Sequence, residues 1–298
     1  MKISCHFPLL LLASLLLLGS CTKNIPAEAS IFAGNNQETP LGARQNEPLQ
    51  LRVTNNKGEP IEDVEVSFQI AIGSGTFDNG AFEARSKTNS YGVAQIYWTL
   101  GRENRSQKVR AEVDGLNGPA LEFFGQPAYH EDSRDNQLYL LTEMGGQIWM
   151  GENLRYQANG SLVNPDFPAT IYGRLYTWNT ANSVCPAGFH LPSLSEWNNL
   201  VQSLPYDEGG PARLLKATSG WILSSDGIDA LGFKVFAAGD YLTAQGEFRG
   251  LSEYGIFWSS EADGTQNAHY KILDYDDENM RGASYSQSNF AACRCVQD

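Results

Sequence analysis

The feature that most constrains the fold is a repeated alternation of apolar and polar residues in the first half of the chain. Apolar side chains occupy every second position in four stretches, residues 49–53, 64–70, 94–100 and 109–113. This is the period of a strand with one buried face. Turn-forming clusters separate the stretches, the clearest being Asn-Asn-Lys-Gly-Glu-Pro at residues 55–60. Short strands divided in this way predict a β-sandwich.

Four segments in this region carry a family resemblance: LQLRVTNNKGEPIEDVEVSF (49–68), GSGTF (73–77), YGVAQIYWTLG (91–101) and VRAEVDG (109–115). In this order they resemble the bacterial Ig-like domain of the invasin/intimin type, Big-1, and the resemblance covers most of residues 27–126. It implies an Ig-like sandwich over residues 27–127. In that family the domain serves mainly as a stalk that lifts a terminal module off the membrane. The polar residues 128–136 are expected to form a linker.

The composition changes after the linker, because five of the six tryptophans lie at positions 149, 178, 197, 221 and 258. Ser193 and Glu196 fit a capping box at a helix start. Apolar residues follow at helical spacing, so a helix should begin at Leu194 and be ended by residues 207–211. A second short helix is expected over residues 212–217, and strands over residues 255–260 and 291–296.

The second half resembles the Fibrobacter succinogenes major paralogous domain, which occurs on bacterial lipoproteins. The matching blocks include GQIWMGENLRY (146–156), GRLYTWNTA (173–181), VCPAGFHLPSLSEWNNL (184–200), GIFWSSE (255–261) and CRCVQD (293–298). The resemblance implies an α+β domain over residues 137–298 that is related to the C-type-lectin-like fold. The family has no well-defined activity. The predicted fold class is therefore a multidomain chain, an all-β sandwich followed by an α+β lectin-like domain.

The resemblance also assigns cysteines. The family carries one Cys in its CPAG block and one in its terminal block, which implies a disulfide between Cys185 and Cys295. Cys293 departs from the family pattern. On a strand it would face the same side as Cys295, so it is either a buried small apolar residue or an alternative disulfide partner.

The N-terminus indicates export and lipid anchoring. Lys2 precedes a Leu-rich run, and Leu18-Gly19-Ser20-Cys21 resembles a bacterial lipobox. We therefore expect a signal peptide over residues 1–20, a diacylglycerol on Cys21 and a tether over residues 21–26. Thr22 after the cysteine favours the outer membrane, and the sequence leaves open which face of it the protein occupies.

The charge balance restricts the partners. The chain carries 21 basic and 34 acidic residues, a formal net charge of −13. Phosphate recognition needs a basic face, so the balance counts against nucleic-acid binding. Residues 131–298 hold 10 basic and 21 acidic residues, a net −11, which disfavours a strongly anionic partner.

No sequence motif for catalysis or for a bound cofactor is present, so the sequence predicts neither. His190 lies near Cys185, but a disulfide would leave no thiolate for a Cys–His pair. We expect His190 to be structural. Asp274, Asp276 and Glu278 form the one candidate Ca²⁺ site. The EPN and WND tripeptides of Ca²⁺-dependent lectins are absent, so we expect a solvated acidic loop, no metal and binding that does not need Ca²⁺.

Three functions follow from these features. The leading hypothesis is a non-catalytic adhesion module, in which a lipid anchor and an Ig-like stalk present a lectin-like tip to an extracellular glycan or protein. The alternative is a structural or accessory subunit of a surface assembly. An enzyme on a lectin-like fold is the third, and it lacks a catalytic constellation. The tryptophans are expected in the core rather than at a sugar-stacking surface.

Overall fold

The computed structural model describes residues 25–205 and 209–298. The predicted signal peptide and Cys21 lie outside the described residues. Within them, no helix is long and apolar enough to cross a membrane.

Ten strands form the first domain, and they confirm the predicted two-sheet β-sandwich. They are β1 (Glu28–Ala33), β2 (Gln37–Thr39), β3 (Leu49–Thr54), β4 (Glu65–Ile72), β5 (Thr76–Phe77), β6 (Glu83–Lys87), β7 (Val93–Ile96), β8 (Trp98–Thr99), β9 (Gln107–Val113) and β10 (Leu121–Pro127). One sheet has the order β1-β3-β7 and the other the order β2-β10-β9-β4-β6, with β5 and β8 as a separate ribbon.

The alternating residues supply the sandwich core, as their period requires. Leu49, Leu51 and Val53 of β3 are fully buried, and they belong to the same apolar cluster as Val66 and Phe68 of β4. The predicted strand over residues 94–100 is interrupted: Tyr97 separates β7, which pairs with β3, from β8, which pairs with β5.

The second domain is dominated by strands. They are β11 (Tyr129–Asp132), β12 (Gln137–Met144), β13 (Gln147–Met150), β14 (Ser161–Leu162), β15 (Leu175–Thr177), β16 (Phe189–His190), β17 (Asp240–Leu242), β18 (Glu247–Arg249), β19 (Tyr254–Asp263), β20 (Asn267–Asp274), β21 (Arg281–Ser286), β22 (Phe290–Ala292) and β23 (Val296–Gln297). One sheet has the order β11-β12-β13-β23-β16. The other has the order β14-β15-β22-β19-β20-β21, with the β17–β18 hairpin attached to β22.

Four short α-helices lie between these strands: α1 (Ala169–Tyr172), α2 (Trp178–Val184), α3 (Leu194–Ser203) and α4 (Gly210–Leu215). A 3-10 turn spans Ile222–Ser224. The predicted capping box is present at α3, where Ser193 and Glu196 bond each other's backbone N–H groups.

Two helix boundaries differ from the prediction. Helix α3 ends at Ser203 rather than at residues 207–211, because Leu204 is extended and precedes Pro205, which disfavours a helical residue before it. Helix α4 begins at Gly210 rather than at residue 212, and Pro211 lies in its first turn, where its missing N–H is not needed.

The tryptophans of the second domain are core residues, as predicted. Trp149, Trp197 and Trp258 are fully buried, and Trp221 is nearly so. Trp178 is half-buried, and its indole N–H donates to the carbonyl of Ser259 at 2.8 Å. A tryptophan face is therefore not the main exposed aromatic surface of this domain.

The residues expected to form a linker are structured. Strand β11 pairs antiparallel with β12, and the buried carboxylate of Asp132 accepts bonds from the Arg134 guanidinium at 2.6 and 2.8 Å. The connection is thus part of the second domain's sheet rather than an open polar tether.

The two domains are joined by a hydrogen-bonded contact. The backbone N–H of Leu41 donates to the Leu141 carbonyl at 3.0 Å, and that of Glu143 donates to the Leu41 carbonyl at 2.8 Å. Arg102 of the first domain donates to the Glu143 carbonyl at 2.6 Å and to the Thr142 hydroxyl at 3.1 Å. Leu140 packs in the core of the first domain.

We expect Arg102→Met to lower the free energy of unfolding by about 1.5–3 kcal/mol, since it leaves partly buried acceptors without a charged donor. Urea denaturation measures this. Arg105→Met is the matched control, because Arg105 is exposed and its loss should cost less than about 0.5 kcal/mol. Equal effects of the two substitutions would contradict a role for Arg102 at the interface.

Candidate functional site

A cleft of about 290 Å³ on the second domain is the candidate binding site. It combines an aromatic ring, charged groups and hydroxyls, and its lining residues are Glu152, Thr170, Ile171, Ala217, Thr218, Asp229, Lys234 and Phe236. Larger hollows, of about 450 and 620 Å³, lie on the first domain over strand faces. Exposed charged side chains flank them, so we place the site in the second domain, where apolar and polar groups converge.

Aromatic packing builds the apolar side of the cleft. The ring of Phe236 lies 5.2 Å from that of Tyr172, which in turn lies 4.3 Å from the ring of Phe167. Ile171 is 50% exposed beside them. Gly220, at φ +92°, brings its loop against the Tyr172 hydroxyl, and a Cβ there would lie 2.9 Å from that oxygen. The cleft therefore has a rigid, partly exposed ring surface.

Charged groups form the polar side. Lys234 Nζ lies 3.8 Å from Glu152 Oε1, and Glu152 Oε2 accepts from Arg155 at 2.9 Å. Asp229 Oδ1 accepts the backbone N–H of Lys234 at 2.9 Å. Burial raises the pKa of Asp229 above its ordinary value, and the N–H bonds and nearby cations oppose the rise. The cleft thus offers carboxylate acceptors, one ammonium donor and two threonine hydroxyls.

Left-handed backbone recurs in the segment 223–234, which contributes two lining residues to the cleft. Leu223, Ser224, Asp229 and Lys234 have φ of 55°, 58°, 43° and 41°. Residues with a Cβ adopt this region at a cost, and such positions cluster at functional sites. Two of the four, Asp229 and Lys234, are themselves lining residues. The backbone there is held in place by bonds from Asp229 N to the Lys216 carbonyl and from Gly227 N to the Ala217 carbonyl.

His190 lies away from the cleft, between two carboxylates. Its Nδ1 is 2.8 Å from Asp298 Oδ1 and its Nε2 is 2.9 Å from Glu196 Oε1. Both ring nitrogens are occupied in this way, which agrees with the structural role expected for His190 and not with a Cys–His pair. Glu196 also closes the capping box of α3, so the cluster links the helix start to Asp298.

The three candidate calcium ligands do not converge in the structure. Asp274 forms an ion pair with Arg281, which also lies 2.5 Å from Asp277. Asp276 and Glu278 are exposed. Burial raises the pKa of Asp274. One of the three candidate ligands, Asp274, is therefore already engaged by a guanidinium.

A disulfide joins Cys185 and Cys295, with Cα atoms 5.9 Å apart. Cys293 is a free, buried thiol. Its neighbour Arg294 is fully buried and projects to the opposite side of the chain, where it contacts the rings of Phe233 and Phe257.

The cleft residues were not predicted from the sequence. Phe236 and Lys234 lie in a stretch of ordinary apolar and turn residues, and nothing in their spacing distinguishes a lining side chain from a core one. The run of turn-forming residues around Gly227 and Asp229 is the one local signal. Left-handed backbone at such positions depends on tertiary contacts, which the sequence does not display.

We expect the stability of the wild-type protein to fall as the pH rises from 6 to 8. Partial burial alone would lower the pKa of His190, but its bonds to Asp298 and Glu196 outweigh this and raise it. A raised folded-state pKa stabilises the protein below the unfolded value of about 6.5. That stabilisation is lost as the pH rises through the folded pKa.

The change should stay below about 1 kcal/mol, because the His190 side chain is 41% exposed and solvent screens its ion pairs. Chemical denaturation at each pH measures it. The substitution His190→Gln should abolish the difference in stability between pH 6 and pH 8. The control is His269→Gln, at a half-buried position on β20, which should leave that difference unchanged. A pH dependence that persists in His190→Gln would refute the assignment.

Comparisons with known proteins bear mainly on the second domain. The family model of the Fibrobacter succinogenes major domain matches residues 142–297. No curated protein matches the chain. Two solved structures are similar to it, the adhesin InvE of Yersinia pseudotuberculosis and a C-terminal 282-residue fragment of intimin in complex with the intimin-binding domain of the translocated intimin receptor.

InvE is 11% identical at a TM-score of 0.34, covering 91% of this chain and 70% of InvE. The intimin fragment is 15% identical at a TM-score of 0.26, covering 90% of this chain and 100% of the fragment. The family match rests on sequence and spans more than half of the 298 residues. The chain therefore belongs to the Fibrobacter succinogenes major domain family.

Proposed function

We propose that the protein is a lipid-anchored adhesion module of the cell envelope that binds a neutral glycan, without catalysis, in the cleft beside Phe236. The observation that carries the proposal is the composition of the cleft: a partly exposed ring faces carboxylates, an ammonium group and hydroxyls. In this proposal the second domain is the lectin-like tip, and the Ig-like sandwich is its stalk.

Sugar recognition needs both sides of such a cleft. The C–H face of a pyranose packs on an aromatic ring, and its hydroxyls require fixed donors and acceptors. Phe236 supplies the ring, and Glu152, Lys234 and the hydroxyls of Thr170 and Thr218 supply the polar partners. Because the domain is strongly acidic, a neutral sugar is favoured over an anionic one.

The same geometry supports binding without calcium. The candidate calcium ligand Asp274 is already paired with Arg281. The ammonium group of Lys234 can donate a hydrogen bond to a sugar hydroxyl oxygen, an atom that a bound calcium ion would otherwise hold. Recognition in the cleft therefore rests on stacking and hydrogen bonds alone.

We expect the full-length chain to bind neutral glycans on an array in the presence of a chelator. Phe236→Ala should weaken binding about tenfold, since it removes the stacking ring, and a tenfold loss corresponds to about 1.4 kcal/mol. Thr218→Val should weaken binding while it preserves the side-chain volume. Melting temperatures of both variants show whether the fold is retained.

Leu223→Ala is the matched control, because Leu223 is 78% exposed in the same loop region but does not line the cleft. Binding that Phe236→Ala leaves unchanged would contradict the proposed site. Binding only to proteins would support a subunit of a surface assembly instead, and release of a shortened glycan would indicate an enzyme.

We expect Cys21→Ser to abolish lipid anchoring. The thiol is the acceptor of the acyl chains, and two or more chains are needed for stable membrane attachment. Wild-type protein should partition into the detergent phase and the variant into the aqueous phase. Cys5→Ser is the control, since Cys5 precedes the predicted cleavage site. Detergent partition of Cys21→Ser would refute the lipobox assignment.

A further inference from the structure

Three sulfur atoms lie together in the interior of the second domain. Cys293 Sγ is 3.8 Å from Cys185 Sγ and 3.9 Å from Cys295 Sγ. Cys293 and Cys295 are fully buried, and Cys185 is half-buried. Among the described residues, these three form the group of Cys, His and acidic side chains that is close enough to share one metal ion. We call them the three-sulfur cluster.

The backbone, rather than the disulfide alone, holds the cluster together. The carbonyl of Cys293 accepts the N–H of Leu154 at 2.9 Å, and that of Cys295 accepts the N–H of Met150 at 3.0 Å. Cys185 follows directly after helix α2. Each cysteine is therefore fixed by its own secondary-structure contacts, and the three side chains would stay close if the disulfide were reduced.

The position of Cys293 does not favour disulfide exchange. A thiolate attacks along the line of the sulfur–sulfur bond, so it must approach one sulfur while the other points away. Cys293 is instead almost equally distant from both sulfurs. The position of Cys293 beside the disulfide, rather than in line with it, therefore indicates a role other than disulfide exchange.

We propose that the reduced three-sulfur cluster is a three-thiolate site for a soft monovalent cation, Cu(I). Metal–sulfur bonds of about 2.3 Å around one ion separate the sulfurs of a trigonal site by about 4 Å. Two of the three separations already have this value. Only the sulfurs of Cys185 and Cys295 must move apart.

Loading of the site takes two steps, reduction of the disulfide and then binding of Cu(I). A dithiol reductant gives two electrons and two protons to the Cys185–Cys295 disulfide and leaves as its own cyclic disulfide. Cu(I) then replaces the three thiol protons and forms three copper–sulfur bonds. The oxidised protein has one thiol and does not hold the ion, so the redox state of the disulfide governs loading.

The surroundings favour Cu(I) over Zn²⁺. Zinc takes a fourth ligand, whereas the cluster lies among apolar side chains that include Leu154, Ala181 and Val184. Thiolates that lie among apolar side chains favour Cu(I), which accepts three-coordination.

The test uses the full-length chain with Cys5→Ser and Cys21→Ser, so that only the three cysteines of the cluster remain. It is reduced anaerobically with a phosphine, which is then removed, and titrated with Cu(I) against a chromogenic chelator. We expect one Cu(I) per reduced chain and none per oxidised chain. X-ray absorption should show three sulfur neighbours.

Cys293→Ser should weaken copper binding more than a hundredfold, since loss of a ligand exceeds the ~10–100-fold cost of losing an outer-shell partner. Met144→Leu is the control, because it removes a buried sulfur from the other core cluster of the domain. Unchanged affinity in Cys293→Ser would overturn the proposal. So would zinc binding without copper binding, or a reduced chain that is unfolded by near-UV circular dichroism and that copper does not refold.

Discussion

The second domain depends on one buried cation. Arg294 has no exposed surface, and burial lowers the pKa of its guanidinium to about 9. A charge in such a place is tolerated only when its donors are satisfied. Arg294 bonds the Asn153 side chain at 2.6 Å and the carbonyls of Met150 and Phe233, and its guanidinium lies 4.3 Å from the Phe233 ring centroid. Residues 150–153 and residue 233, which are distant in sequence, are thereby held against Arg294.

The burial of Arg294 also determines which side chains lie on each face of residues 293–295. Because consecutive side chains alternate, the residue that sends its guanidinium toward Phe233 leaves Cys293 and Cys295 on the other face, opposite Cys185. Phe233 immediately precedes Lys234, so the carbonyl that Arg294 holds belongs to the strained segment at the edge of the cleft. The three-sulfur cluster and the cleft are thus positioned by the same guanidinium, although they do not touch.

What the sequence predicts well is local. The alternating runs of β3 and β4 and the capping box at Ser193 depend on neighbours within a few residues, and the structure has them where they were expected. Helix α3 ends before the expected glycine cluster because Pro205 disfavours a helical conformation at Leu204. Burial of Arg294 and the left-handed backbone of Asp229 depend on partners far away in the chain. By residue type alone, an arginine is expected to be exposed and an aspartate to have a negative φ. Neither the burial of Arg294 nor the positive φ of Asp229 could therefore be predicted.

The strained segment is supported from the first domain as well. The Thr142 hydroxyl accepts from Arg102 and donates to the Leu231 carbonyl at 2.7 Å. Gly232, at φ +68°, lies so close to Leu41 that a Cβ there would be 2.7 Å from its methyl group. Left-handed residues persist where surrounding contacts over-determine them. Here those contacts come from Arg294 on one side and from Leu41 and Arg102 of the first domain on the other. The first domain therefore helps to fix the backbone that shapes the cleft.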